Sequence, residues 1–177
     1  LALKALQQTG GTEAMDAIAR LLDDPVPGLR WQAAGVLAGA GDQRGRQLLL
    51  AVVADAGLPL ATRFDALMTL ANLRDPAAVE PLLAVLKEIT PMQRQGAIMA
   101  LGKLGDKRAI EPLLPYMQDT DRRVRTEAVK AVIALGDPRG LETAKQLLAA
   151  KTINRRQYDA MLGGVHDPGD VDALVAL

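Results

Sequence analysis

Polar and apolar positions recur along the chain with a period close to 31 residues. An Asp follows a Leu- and Gly-rich segment at Asp42, Asp75, Asp106, Asp137 and Asp167, and twelve residues before each stands an Arg: Arg30, Arg63, Arg94, Arg125 and Arg155. Gly11 takes the Asp position one period earlier. Between each Arg and its Asp the apolar residues keep one helical face. Three residues after the Arg come Ala33, Ala66, Ala97 and Ala128, with Tyr158 as the exception; seven after come Leu37, Leu70, Leu101, Val132 and Leu162. Offsets of 0, +3, +4 and +7 share a face only at 3.6 residues per turn. These segments are predicted to be helices (helix B of each repeat), closed by a left-handed cap at Gly41, Gly105 and Gly136.

A second helix, A, is predicted after each Asp. Pro76, Pro138 and Pro168 follow the Asp directly, and proline is tolerated in the first helical turn, where its missing N–H costs nothing. The Asp is a natural N-cap. Apolar stripes follow at Val79, Leu82, Leu83 and Leu86, and at Ile110, Leu113, Leu114 and Met117. Helices are therefore expected at 12–23, 28–40, 43–55, 60–73, 77–89, 91–104, 108–119, 121–135, 139–150 and 153–164. Leu1–Thr9 reads as the tail of another helix B, and a last helix A begins near Pro168. The expectation is an all-α, single repeat array over 1–177, cut within a repeat at both ends and belonging to a longer protein. Two repeats depart from the rest. In the 42–75 repeat Arg46 replaces an apolar residue and the A–B turn, ADAGLPLAT, is two residues longer; the last repeat has Tyr158 for Ala and His166 for Gly.

Composition removes several functions. The 21 Lys and Arg balance 21 Asp and Glu, whereas phosphate binding needs a positive excess on a face, so nucleic acid is not an expected partner. The chain has no Ser, which rules out a Ser-His-Asp triad, and no Cys; its one His, His166, has no second His to complete a metal site. Gly10-Gly11 and Gly163-Gly164 do not fit a phosphate loop. No apolar run is long enough to span a bilayer. No cofactor is expected. A Cys-free chain suits cytoplasm or periplasm, and the cytoplasm is the favoured expectation.

The segments DKRAIEPLL (106–114), DTDRRVRTEAVKAVIALGD (119–137) and ITPMQRQGAIMALGKLGDKRAIEPLL (89–114) resemble the HEAT-like repeats named after phycobilisome lyases. The resemblance covers nearly the whole chain. It implies a right-handed α-α superhelix of helical hairpins, a solenoid with the B helices lining its concave side. It also implies a charged ladder between repeats built on Arg30, Arg63, Arg94, Arg125 and Arg155, three of which have an acid six residues upstream, at Asp24, Glu88 and Asp119. The alternative for that row of arginines is anion binding. Such arrays usually act as protein–protein scaffolds, and a minority handle bilins.

With the core at 0, +3, +4 and +7, the outward positions of helix B are expected at +1, +2, +5, +6 and +9. These bring Trp31, Phe64, Met68 and Met99 into one apolar stripe, continued by a basic stripe of Lys103, Lys130 and Arg156. An exposed apolar patch with a polar rim suggests a partner site; the competing expectation is that Trp31 and Phe64 bury themselves against neighbouring B helices. The leading functional expectation is a non-catalytic interaction module for a protein partner, part of a larger bacterial protein. The alternatives are a bilin-lyase-like subunit, with Lys130 and Arg156 receiving propionates, and a spacer that binds nothing.

Overall fold

The computed structural model describes residues 11–163, all of whose regular elements are helical. The helices are α1 (Thr12–Ala19), α2 (Pro27–Gly39), α3 (Gln43–Ala54), α4 (Leu60–Asn72), α5 (Val79–Val85), α6 (Pro91–Leu104), α7 (Ile110–Leu113), α8 (Arg122–Ala134), α9 (Pro138–Ala149) and α10 (Arg155–Leu162). Even-numbered helices are the predicted B helices and odd-numbered ones the A helices. The segments Leu1–Thr9, His166 and the helix expected after Pro168 lie outside the described residues.

The B helices start and end within about two residues of their expected limits. Their A partners are more broken. A 3₁₀ turn at Arg20–Asp23 finishes α1, another at Pro76–Ala78 precedes α5, and α7 is four residues between 3₁₀ turns at Lys107–Ala109 and Leu114–Gln118. Proline explains the last two cases. Pro81, Pro112 and Pro115 lack the N–H that an α turn needs, and each ring crowds the carbonyl four residues back. The tighter 3₁₀ turn avoids both conflicts over a short span.

Helix ends follow local chemistry. Asp42, Asp75, Asp106, Asp121 and Asp137 each cap a helix, accepting a hydrogen bond from the backbone N–H two residues on. Thr90 and Asn154 form capping boxes with Gln93 and Gln157. Gly41, Gly105, Gly136 and Gly163 are left-handed, with φ of 83°, 74°, 82° and 58°. At the same place in its repeat, Arg74 takes φ 57°.

The chain forms two compact units, divided between Val85 and Leu86. In the first, α2 packs on α1, α3 and α4; in the second, α8 packs on α6, α9 and α10. The predicted B-helix core positions are buried in each: Ala33, Ala34 and Leu37; Ala66, Leu67 and Leu70; Ala97, Ile98 and Leu101; Ala128, Val129 and Val132. Tyr158 fills the Ala position of α10 and is fully buried. One small-residue position recurs beside these. Three residues after the capping Asp of each A helix, Asp42, Asp75, Asp106 and Asp137, stand Gly45, Ala78, Ala109 and Gly140, all buried. A Cβ at Gly45 would meet the Ala34 carbonyl oxygen and lie 2.6 Å from Leu37 Cβ; one at Gly140 would lie 2.8 Å from the Ile133 nitrogen. Helix B of one repeat and helix A of the next approach here at backbone contact.

Candidate functional site

The register arginines hold the A–B loops, but mainly through carbonyls. In the second unit, Arg94 donates from Nε to the Leu86 carbonyl (2.7 Å), from one terminal nitrogen to the Ile89 carbonyl (3.1 Å) and from the other to the Asp119 carboxylate of the next repeat (3.3 Å). Arg125 donates to the carbonyls of Asp119 (2.6 Å) and Thr120 (3.0 Å). In the first unit Arg30 donates to the Asp24 carbonyl at 2.9 Å. The acids serve differently from the side-chain pairing expected. Asp24 and Asp119 accept the backbone N–H two residues on, folding the loop so that their own carbonyls face the arginine. Glu88 is exposed, and Arg94 is satisfied by Leu86, Ile89 and Asp119 instead. Arg155 pairs with Asp159 on its own helix, and the buried Arg63 Nε has no hydrogen-bond partner. An anion-binding row would need these forks free; in Arg94 and Arg125 loop oxygens occupy them.

A second set of charge contacts involves the A helices, and the recurrent Asp-x-Arg spacing was its signal. Arg44, Arg108 and Arg139 each fold back onto the capping Asp two residues earlier. Arg44 also reaches Asp16, and Arg139 reaches Glu111, on the preceding A helix. Ala77 stands where the third repeat should carry this arginine. Arg46 fills the gap, its fork binding Asp75 from the repeat before. Hydrogen bonds from Arg139, first from its guanidinium and then from its backbone N–H, hold the Asp137 carboxyl down to about 2. The same kind of bonds lower Asp42, Asp75, Asp106 and Asp121.

The expected apolar stripe is only partly open. Phe64 is buried at 7% exposure, which corrects its assignment to an accessible surface. A large ring at +1 gains more by being covered than by meeting water. The +6 position is a second correction, since Ala100, Ala131 and Met161 are buried there. Gly102 shows how tightly α6 and α8 approach: a Cβ on it would lie 3.0 Å from both Cα and Cβ of Ala131. Trp31 is half-buried with the Arg30 guanidinium 5.1 Å from its ring centre, and Met68 is half-buried. Met99 is 40% exposed. Lys103 and Arg156 are exposed and Lys130 is half-buried.

In the second unit these B-helix positions surround a cleft of about 260 Å³. Gln95 of α6, Arg122, Thr126 and Lys130 of α8, and Gln157 of α10 line it, and the buried Ile153 and Met161 reach it from beneath. No A-helix residue takes part. Of the expected basic stripe only Lys130 lines the cleft. Arg122 and Gln157 were not foreseen; they sit at −3 and +2 from the register arginines, offsets at which helix B still faces outward. A wider cleft of about 760 Å³ in the first unit lies between α1 and α3. Its charges cancel, with Arg20 and Arg44 against Asp16 and Asp23, and Arg44 is already paired to Asp16. Among the described residues no three His, Cys, Asp or Glu converge to hold a metal, and no helix is long and apolar enough to cross a membrane.

Residues 80–163 match the family model of HEAT repeats, and residues 62–88 match that of the PBS lyase HEAT-like repeat. These segments are HEAT repeats. No curated protein matches the chain. Among solved structures the chain is similar to a designed armadillo repeat protein in complex with the peptide (KR)4. The two share 19% identity with a TM-score of 0.51, over 91% of this chain and 90% of that one. At that identity the likeness shows the fold, a helical-repeat solenoid. The HEAT assignment explains how one cleft draws on three helices: α6, α8 and α10 are the same helix of three successive repeats.

Proposed function

We propose that this chain is a non-catalytic protein-binding module whose B helices hold an extended segment of a partner protein. HEAT and armadillo-like repeats typically mediate protein–protein interaction. The observation that carries the reading is the cleft lined by three successive B helices. Packed helices sit roughly 8–10 Å apart. An extended chain covers that distance in about three residues, so each repeat can meet the next few residues of one strand. Gln95, Thr126 and Gln157 supply polar groups suited to a peptide backbone. The peptide bound by the designed armadillo protein supports a partner of this kind.

The test is selection of displayed peptides on the full chain. Enriched peptides are then measured against Ala160→Trp, which fills the cleft from an exposed position of α10. The expected result is enrichment of binders that lose affinity for the variant. Enrichment of nothing overturns the reading and leaves a spacer; binders indifferent to Ala160→Trp overturn the cleft as the binding site.

A further inference from the structure

We infer that the segment taken by the α6–α8–α10 cleft is acidic, an inference that rests on the protein-binding reading above. Three cations, Arg122, Arg123 and Lys130, line the cleft against one carboxylate, Glu127. The whole chain is electrically neutral, so this excess is local. It is also largely unspent. Arg94 and Arg125 are consumed by loop oxygens and Arg44 and Arg139 by neighbouring acids. Arg122, by contrast, makes no hydrogen bond or ion pair among the described residues and is exposed. Arg123 shares its charge with the capping Asp121, at 3.3 Å, but its side chain remains 67% exposed. Lys130 has Glu127 at 3.9 Å, too long for a strong hydrogen bond, and stays 37% exposed. Lys103 and Arg156, exposed on α6 and α10, extend the positive charge along the same helices.

The polar groups favour acceptors as well. Gln157 uses its Oε1 to accept from the Asn154 N–H, which leaves its amide N–H₂ as the group to offer a ligand. A carboxylate oxygen or a peptide carbonyl satisfies it. Beneath the charges, Ile153 and Met161 present apolar surface at the cleft floor, matched by the methylenes of a glutamate stem. No aromatic residue lines the cleft; stacking of bases, the usual second component of single-strand nucleic-acid binding, has no platform here. The observations therefore favour a carboxylate-bearing peptide over an oligonucleotide.

The experiment titrates the full chain into fluorescein-labelled (Asp-Glu)4, (Lys-Arg)4 and an oligothymidylate of equal length, read by anisotropy at low salt. The acidic peptide is expected to bind, and to lose its binding in about 1 M salt, where the screening length falls to about 3 Å. Arg122→Glu with Lys130→Glu is expected to weaken it about tenfold or more, while Glu127→Gln tightens it about threefold. Circular-dichroism melts check that each variant stays folded. Tighter binding of (Lys-Arg)4 or of the oligothymidylate overturns the inference, as does acidic-peptide binding untouched by the double reversal. Displayed peptides that enrich without acidic bias, yet respond to Ala160→Trp, overturn the acidic inference and leave the binding module standing. Enrichment of nothing overturns both.

Discussion

Arg74 occupies a backbone conformation that glycine takes in three sister repeats. Its N–H bonds to the Ala71 carbonyl and the Asp75 N–H to the Leu70 carbonyl, the same closure that Gly41 and Gly136 make. A side chain at φ 57° crowds its own carbonyl, which costs about 1–2 kcal/mol, partly offset in glycine by a freer unfolded chain. Arg74→Gly is expected to stabilise by about 0.5–1 kcal/mol, seen as a melting temperature higher by ~1–4 °C. Glycine is not interchangeable in the other direction. Gly45→Ala pushes a methyl into the α2 backbone and is expected to cost about 1–3 kcal/mol. Gly28→Ala, with nothing within 4 Å of its new methyl, is expected to gain about 0.5–1 kcal/mol in helix propensity. Chemical denaturation of the two variants checks the sign of each; equal effects would mean that the Gly45 crossing yields freely.

At the scale of one loop or helix end, the arginine fork and the capping Asp make separable predictions. Arg94→Lys keeps the charge but not the planar fork that reaches Leu86, Ile89 and Asp119 together. A loss of about 2 kcal/mol is expected from the partly buried oxygens left without donors. Glu88→Gln should stay within about 0.5 kcal/mol, because Glu88 is exposed and the fork is satisfied without it. A large effect at Glu88 would restore the side-chain ladder. The capping carboxylates set the acid response. Asp137 titrates at about 2 when folded, against about 4 in an unfolded chain. Its depressed value means that the stability it adds is fully present above pH ~4 and is lost as pH falls towards 2. Asp137→Asn keeps a capping oxygen and removes the titration. The variant is expected to show a shallower fall in stability between pH ~4 and 2, measured by urea denaturation across that window. An unchanged slope would mean that Arg139 contributes no charge-dependent stability at this cap.

At the scale of the molecule, what could be read from sequence was whatever repeats. The Arg-to-Asp offset placed every B helix and the core of α2, α4, α6 and α8, because Ala33, Leu37 and their equivalents there depend only on helical period. The A helices were less legible, since Pro81, Pro112 and Pro115 break the α turn by sterics that an apolar stripe does not record. Lateral packing was illegible for a different reason. Phe64 and Ala131 look outward on an isolated helix but are buried in the fold, Ala131 close against Gly102 of α6. For the same reason the cleft could not be found one helix at a time, because Gln95, Lys130 and Gln157 meet only when three repeats are stacked. Repeat packing of this kind makes stability approximately a sum of local and nearest-neighbour contributions. Gly140→Val tests that directly. The added side chain strikes the α8 backbone at Ile133 and forces α9 from its partner, at a cost of roughly 1–3 kcal/mol. Hydrogen exchange followed by mass spectrometry is expected to show protection falling most in α8, α9 and α10, less in α6, and not at all in α1–α3. Equal loss of protection in every helix would show that the repeats unfold as one cooperative body rather than neighbour by neighbour.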